Sequence, residues 1–227
     1  MPNKETLAAT TVPAWAKYLL DDEGLERIHV AVAKVEKHTS AEIVPMLVSN
    51  SSTTGHVPWI LFLVLLMFTW TVLPRLMMLT PFDVPFWLVD IVAVAIAVGG
   101  TWVLSRSARI RHLLTPRFDQ LLSVERRALL EFHLARIRET EQRTGILIMA
   151  SSLERRAIVI ADKTIDERLP KATWDNVIAI LLEKTKAGNF ADGMVAALEA
   201  LGAHLEPVFP PAHDNKDELE NGLIIKL

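Results

Sequence analysis

The stretch from Val57 to Leu104 constrains this chain more than any other, because it places two long apolar runs inside an otherwise polar sequence. Val57 to Leu73, VPWILFLVLLMFTWTVL, carries no charge, and Pro85 to Leu104, PFWLVDIVAVAIAVGGTWVL, carries one, Asp90. As helices rising about 1.5 Å per residue, the runs reach roughly 26 and 30 Å, against a hydrocarbon core about 30 Å thick. Two buried core helices would also be long and apolar, but core helices of this size usually keep a polar face, and the first run has none. The sequence therefore predicts a transmembrane hairpin, with spans at about 57–74 and 85–105, set inside a soluble protein.

Flanking charge gives the expected orientation. Arg106, Arg109, Arg111 and Arg117 follow the second span, whereas the link 74–84 sets only Arg75 against Asp83, and Ser49 to His56 carries no formal charge. Cytoplasmic flanks collect Lys and Arg. The link is thus expected outside the cell or in the periplasm, and the soluble part and both termini in the cytoplasm, against the cell (inner) membrane. Trp59, Trp70, Trp87 and Trp102 lie toward the span ends, where amphipathic rings favour the headgroup region. Asp90 either faces its partner helix about a turn inside the bilayer or stays wet near the interface. With no cation in either span, the wet position is the expected one. The basic flank is expected to touch lipid headgroups, at roughly 1 kcal/mol per basic residue near an anionic surface.

Of 227 residues, those outside the hairpin suffice for one soluble domain of ordinary size. A net charge of -3 creates no field that would draw nucleic acid, which is not an expected partner. The chain has no Cys, which excludes disulfides, thiol nucleophiles and Cys-based metal sites. Its start, MPNKETLAATTVPAWAKYLL, lacks a basic lead into an apolar core and reads as a polar tail over residues 1–22 rather than a secretory signal.

Along the chain, Leu25, Ile28, Val32 and Val35 recur at helical spacing behind a cap at Asp21 or Asp22, predicting a helix to about Lys37. Ile43 to Val48 reads as a strand buried on both faces, with Pro45 marking an edge or a bulge. After the hairpin and basic flank (49–117), Asp119 or Ser123 opens a long helix to about Gln142, with Leu122, Leu129, Phe132 and Ile137 as its buried stripe. Ile146 to Ala150 and Ala157 to Ala161 form a strand pair around a turn at Glu154, Arg155 and Arg156. Two helices follow, Thr173 to Lys186, closed by Gly188, and Phe190 to Leu205. Phe209-Pro-Pro is expected to end the packed structure, leaving 211–227 as an acidic tail. Helices alternating with buried strands predict a three-layer α/β/α sandwich with a small mixed sheet, built from 23–48 plus 118–210 and interrupted by the hairpin.

No familiar catalytic motif is present, whether a nucleophile elbow, a phosphate-binding loop, a zinc-binding helix or an EF-hand. The seven His residues are scattered without ligand spacing. The site candidates are acidic: Glu42 before the first strand, Asp162 after the third, and Asp192 at the start of the last helix, with Asp166 and Asp175 as supports. Strand ends and helix starts in α/β folds meet at a rim where ligands bind. Carboxylates converging there would suit Ca²⁺ or Mg²⁺. Each has a plainer explanation. Asp192 gains from the helix N-terminus, and Glu42 could pair with a neighbouring Lys or Arg. Asp162, directly after a buried strand, is the least easily dismissed.

Taken in order, Thr39-Ser-Ala-Glu-Ile43, Thr144-Gly-Ile-Leu-Ile148, Glu154-Arg-Arg-Ala-Ile-Val-Ile-Ala-Asp-Lys163, Trp174, Phe190-Ala-Asp-Gly193 and Phe209-Pro210 resemble the TPM domain family. The family is named for thylakoid, photosystem-associated and acetylcholine-receptor-modulating members. The resemblance is closest to bacterial membrane versions with a two-span insertion, and it covers about Leu25 to Val48 and Phe118 to Leu227. It implies an α/β/α domain, often tethered to a membrane. Across the family it implies varied roles: acid phosphatase activity, repair of a membrane complex, and receptor modulation. Two functions therefore stand as expectations. One is an accessory module binding another membrane protein or complex, or a second copy of itself. The other is a metal-dependent phosphatase using the acidic rim; against it, no Arg or Lys is placed by spacing to clamp a phosphate. A transporter is a distant third, since two spans without a polar stripe cannot line a path unless they oligomerise.

Overall fold

A computed structural model describes residues 11–51, 57–77, 79, 85–107, 110, 114, 117–137, 143–211 and 222–227. In chain order the described elements are α1 (Asp22–Glu36), β1 (Glu42–Val48), α2 (Val57–Met77), α3 (Phe86–Leu104), α4 (Arg117–Leu134), β2 (Gly145–Ser151), β3 (Arg156–Ala161), α5 (Lys163–Asp166), α6 (Lys171–Lys186), α7 (Phe190–Leu205) and β4 (Ile224–Lys226). They fall into two compact units, one made of residues 1–51 and 121–227 and the other of residues 52–120.

The first unit is a mixed α/β fold around a four-stranded sheet of order β3-β2-β1-β4. β1 runs parallel to β2 from Glu42↔Gly145 to Val48↔Ser151, and parallel to β4 from Met46↔Ile224. β2 and β3 form the antiparallel hairpin, from Ser151↔Arg156 to Ile146↔Ala161. Every residue of β1 and β2 is buried, as their unbroken apolar runs require of strands covered on both faces. Ile43, Leu47, Ile146 and Ile148 join one core with α1, α6 and α7. Val44, Met46, Val48, Leu147 and Met149 join the other with Val124, Ala128 and Phe132 of α4.

Local chemistry sets the element ends. Asp21 caps α1 by accepting the Gly24 N–H at 2.7 Å, and Asp22 and Glu23 occupy its first turn. Gly188, at φ +89°, turns the chain out of α6 in the left-handed conformation that glycine favours. Pro45 sits in β1 without loss of a ladder bond. The Glu42 N–H points to β2, donating to Thr144 O at 3.1 Å, so positions 43 and 45 point away from it. On that side β4 reaches only as far as Met46, and the Ile43 N–H is taken instead by the carboxylate of buried Glu36 at 2.8 Å. The edge expected at Pro45 is thus local, within a strand that is central elsewhere.

Three expectations are corrected. The C-terminal tail does not trail from the domain: Leu223 and Ile224 are buried and β4 pairs with β1. Lys226 Nζ lies 2.8 Å from buried Glu131 of α4, Arg127 Nε donates to the same carboxylate at 2.9 Å, and Arg127 Nη2 bonds the Leu227 carbonyl at 3.0 Å. A three-residue strand carries too little pattern to be read from sequence, and this buried charge cluster fastens it. The N-terminal tail is also shorter than expected, since Val12, Ala16 and Leu20 enter the core beside α1, whereas residues 1–10 lie outside the described set. Finally, α4 stops at Leu134 rather than near Gln142. Arg136 takes a left-handed φ of 56° and turns Ile137 inward, and residues 138–142 lie outside the described set. Its buried stripe is Val124, Ala128, Phe132 and Ala135; Leu129 faces outward.

The second unit is the helical hairpin α2–α3. Val89, Ala93 and Ala97 form its buried seam, at the four-residue spacing that brings small residues to one helix face. A Cβ on Gly100 would stand 2.9 Å from Leu65, which marks how closely the helices approach. Thr69, also buried there, returns its hydroxyl to its own helix at Leu65 O (2.8 Å) and lies 3.4 Å from Ala93 O. Both helices are long and apolar enough to cross a membrane, and only 11% and 17% of their apolar windows are buried. Asp90, beside Val89, is exposed and does not face α2. Arg106 stacks over Trp102, 3.5 Å from the ring centre. Arg109 and Arg111 lie outside the described residues, and Arg117 opens α4.

Candidate functional site

Strand register brings two of the three acidic candidates to one end of the sheet. Glu42 pairs with Gly145, and the Asp162 N–H donates to Gly145 O at 2.9 Å, so Glu42, Gly145 and Asp162 form one row across β1, β2 and the end of β3. Alternation from Val44, Leu147 and Ile160 puts all three on the face covered by α4. Strands about 4.8 Å apart separate the two acidic backbones by about 10 Å. Ile137 fills that interval: a Cβ on Gly145 would lie 2.3 Å from Ile137 O and 2.5 Å from its Cγ2. Both carboxylates are buried, on either side of this contact.

Asp192 belongs elsewhere. It lies in the first turn of α7, in the layer across the sheet, and binds Arg27 of α1 at 2.6 Å. With Lys34–Glu199 at 3.0 Å, this pair ties α1 to α7. Asp166 and Asp175 are exposed on α5 and α6. Among the described residues, no group of three or more His, Asp and Glu side chains gathers where a metal ion could be held.

Around Asp162 the chain forms an open pocket of ≈ 490 Å³ lined by Arg143, Asp162, Lys163, Thr164, Glu167 and Arg168. The chain turns sharply here: Asp162 leaves β3, and its carbonyl accepts from Ile165 (2.9 Å) and Asp166 (3.0 Å) to start α5. Arg143 approaches from the start of β2 with a left-handed φ of 52°, a conformation that costs a non-glycine residue energy and places it beside the pocket. Arg168 lies against Phe209, 5.3 Å from the ring centre, and Lys163 is 3.6 Å from Glu167. Three cations therefore stand around one buried carboxylate. Two are guanidinium forks suited to bidentate contact with an oxyanion. Sequence spacing did not reveal this set, because Arg143 and Arg168 come to line one pocket only through the β2–β3 pairing. The signal that was readable is Thr144-Gly145, a glycine opening a buried strand, which marks a close backbone approach.

A second polar cluster holds the other end of the sheet. Buried Glu154 accepts the Ser51 N–H at 3.2 and 3.1 Å on its two oxygens and bonds the Ser151 hydroxyl, while Ser51 Oγ donates to Ser151 Oγ at 3.0 Å. Read from sequence as a turn residue, Glu154 pins the last residues before the hairpin segment.

Comparison with known proteins agrees with this architecture. Residues 105–204, under half of the chain, match the family model described as TPM domain. β1 and α1 stand before the matched stretch and complete its sheet and one helical layer. The NMR structure of the BA42 protein from the psychrophilic bacterium Bizionia argentinensis superposes with a TM-score of 0.55 at 19% identity, covering 99% of each chain, and shares the fold. No curated protein matches the sequence.

Proposed function

We propose that this chain is a multi-pass inner-membrane protein whose TPM domain, held at the cytoplasmic face by the α2–α3 hairpin, is an interaction or accessory module for another membrane protein or complex. The observation that carries this reading is the contrast between the two units. The α/β unit has two complete cores of its own, whereas the hairpin buries a narrow seam and leaves most of its apolar surface uncovered. Uncovered apolar helices of this length are stable in lipid and costly in water. The absence of cysteine makes topology directly measurable. In intact cells, Leu79→Cys in the link should react with an impermeant maleimide, and Lys186→Cys on the domain should react only after permeabilisation. Release of the protein by alkaline carbonate, or the reverse labelling pattern, refutes the reading. Cross-linking in native membranes should trap a discrete adduct; a chain that always runs alone counts against the accessory role.

The pocket at Asp162 favours a second reading, hydrolysis of a phosphate ester. Arg143, Lys163 and Arg168 would bind the phosphoryl oxygens beside the Asp162 carboxylate. If Ca²⁺ or Mg²⁺ takes part, Asp162 would hold it with water and substrate oxygens, as Mg²⁺ sites with one or two carboxylates do. Glu42 stands behind Ile137 and Asp192 in the opposite layer, so neither would reach that ion. The test is hydrolysis of a generic phosphomonoester by purified protein, with Arg168→Ala and Asp162→Asn alongside. Equal activity in all three eliminates this site.

A further inference from the structure

We infer that β3 is an interface strand: it pairs antiparallel with β3 of a second copy of this chain about a two-fold axis at Val159, joining the two four-stranded sheets into one. β3 stands at one edge of the sheet and is bonded to β2 alone among the described strands. The Asp162 N–H donates to Gly145 O, so Ile160, Ile158 and Arg156 aim their N–H and C=O groups at β2, and Ala157, Val159 and Ala161 turn theirs outward. Among the described residues, no main-chain bond takes up those outer groups. The opposite margin of the sheet is guarded. β4 is three residues long and carries Lys226, tied to Glu131, and where β4 does not reach, the Ile43 N–H goes to Glu36 and Pro45 has none. Ala157 to Ala161, AIVIA, has no charge, proline or bulge, the devices that keep an open edge from pairing. An edge left open in this way calls for a strand.

Symmetry selects a second copy and fixes the register. Two identical edges meet about a two-fold axis only when their strands run antiparallel. With the axis at Val159, that residue meets its own counterpart and Ala157 meets Ala161 in both directions, so every outward N–H and C=O of β3 finds a partner. With the axis at Ile158, Ala161 is left over, and at Ile160, Ala157 is. The ladder ends where β3 does, since Arg155 leaves extended backbone at φ 52° and Lys163 begins α5. Charge agrees with this register. Arg156, which pairs with no acidic side chain among the described residues, comes opposite Asp162 of the second copy, on the face covered by α4. Each copy thereby brings a further guanidinium to the other's pocket at Asp162. Only the α/β unit takes part, so the pairing does not depend on whether the hairpin crosses a membrane.

The experiment uses full-length protein in detergent micelles, where single cysteines report without background because the chain has none. Val159→Cys should oxidise to a linked dimer, since facing residues of a bonded antiparallel pair lie about 5.5 Å apart at Cα, within disulfide reach. Ile158→Cys and Ile160→Cys, each offset from its counterpart to about 8 Å, should not link. A spin label on Arg155→Cys, exposed in the turn, should lie about 27 Å from its counterpart by electron–electron dipolar spectroscopy, about eight residues of strand at about 3.4 Å each. Adding Ala157→Pro should abolish the linked dimer and the distance while leaving the circular dichroism unchanged, because the Ala157 N–H faces away from β2 and proline removes only the outer donor. Ile158→Cys linking as readily as Val159→Cys overturns the inference, and so does an Arg155→Cys distance that is absent or survives Ala157→Pro. If Ala157→Pro itself loses structure, the contrast between Val159→Cys and Ile158→Cys decides alone. In native membranes, a Val159→Cys link to a different protein and none to a second copy assigns the edge to a foreign strand, and overturns the inference as well.

Discussion

Residues 118–227 expressed alone should fail to fold cooperatively, although they contain three of the four strands and most of the stretch that matches the TPM family. The reason is the place of β1. It lies between β2 and β4, so its removal strips β2 of one ladder and β4 of the one strand it pairs with among the described residues. Removing α1 as well uncovers the side of α7 that packs on it. Ile146, Leu147, Ile148, Met149, Met194, Leu198 and Leu201 are all fully buried in the intact unit. If each loses half its burial, at roughly 1.5–3 kcal/mol for a whole side chain, the loss is about 5–10 kcal/mol. Domains of this size have about 5–15 kcal/mol in total. The assay is urea unfolding followed by circular dichroism. The fragment is compared with a chain joining residues 11–51 to 117–227 through about 20 Gly/Ser residues, whose root-mean-square reach is about 25 Å. The joined chain should unfold in one transition and the fragment should show none. A cooperative transition in 118–227 alone would refute the claim that one domain is split around the hairpin.

Three further outcomes follow from particular contacts. Glu131→Ala should cost about 3 kcal/mol, at the lower end for a broken buried pair because Lys226 and Arg127 retain some access to water; faster amide exchange at Leu47, as β4 detaches, is the specific readout. Gly145→Ala should destabilise by about 1–3 kcal/mol or more, because its Cβ meets a backbone carbonyl, whereas Gly99→Ala, with nothing within 4 Å, should cost nothing; equal melting of the two variants would contradict this. Asp162→Asn should fold normally and abolish any stabilisation by Ca²⁺ or Mg²⁺, which at 100 times the dissociation constant would amount to about 2.7 kcal/mol. A variant that misfolds would make Asp162 structural, and the absence of any ion-dependent shift in the parent chain would remove the metal.

What could be read from the chain alone was whatever depends on neighbours in sequence. The apolar runs of α2 and α3, the helical spacing of Leu25, Ile28, Val32 and Val35, the unbroken apolar stretches of β1 and β2 and the glycine after α6 each record a local period or a local backbone need. From these the α/β class and the two apolar helices follow. The α4 stripe shows the limit of such reading: Leu122 and Leu129 fit a buried period as well as Val124 and Ala128 do, and only packing on the sheet separates the two. Register and strand order are relations between distant segments, which no local pattern encodes. Tertiary structure alone therefore decided that Ile224–Lys226 is a strand, that Ile137 stands between Glu42 and Asp162, and that Arg143 and Arg168 line one pocket. It also decided that Glu36 supplies the acceptor β4 is too short to provide. Burial makes each of these binding on the fold, because a buried N–H or carboxylate without a partner costs more than most single contacts contribute.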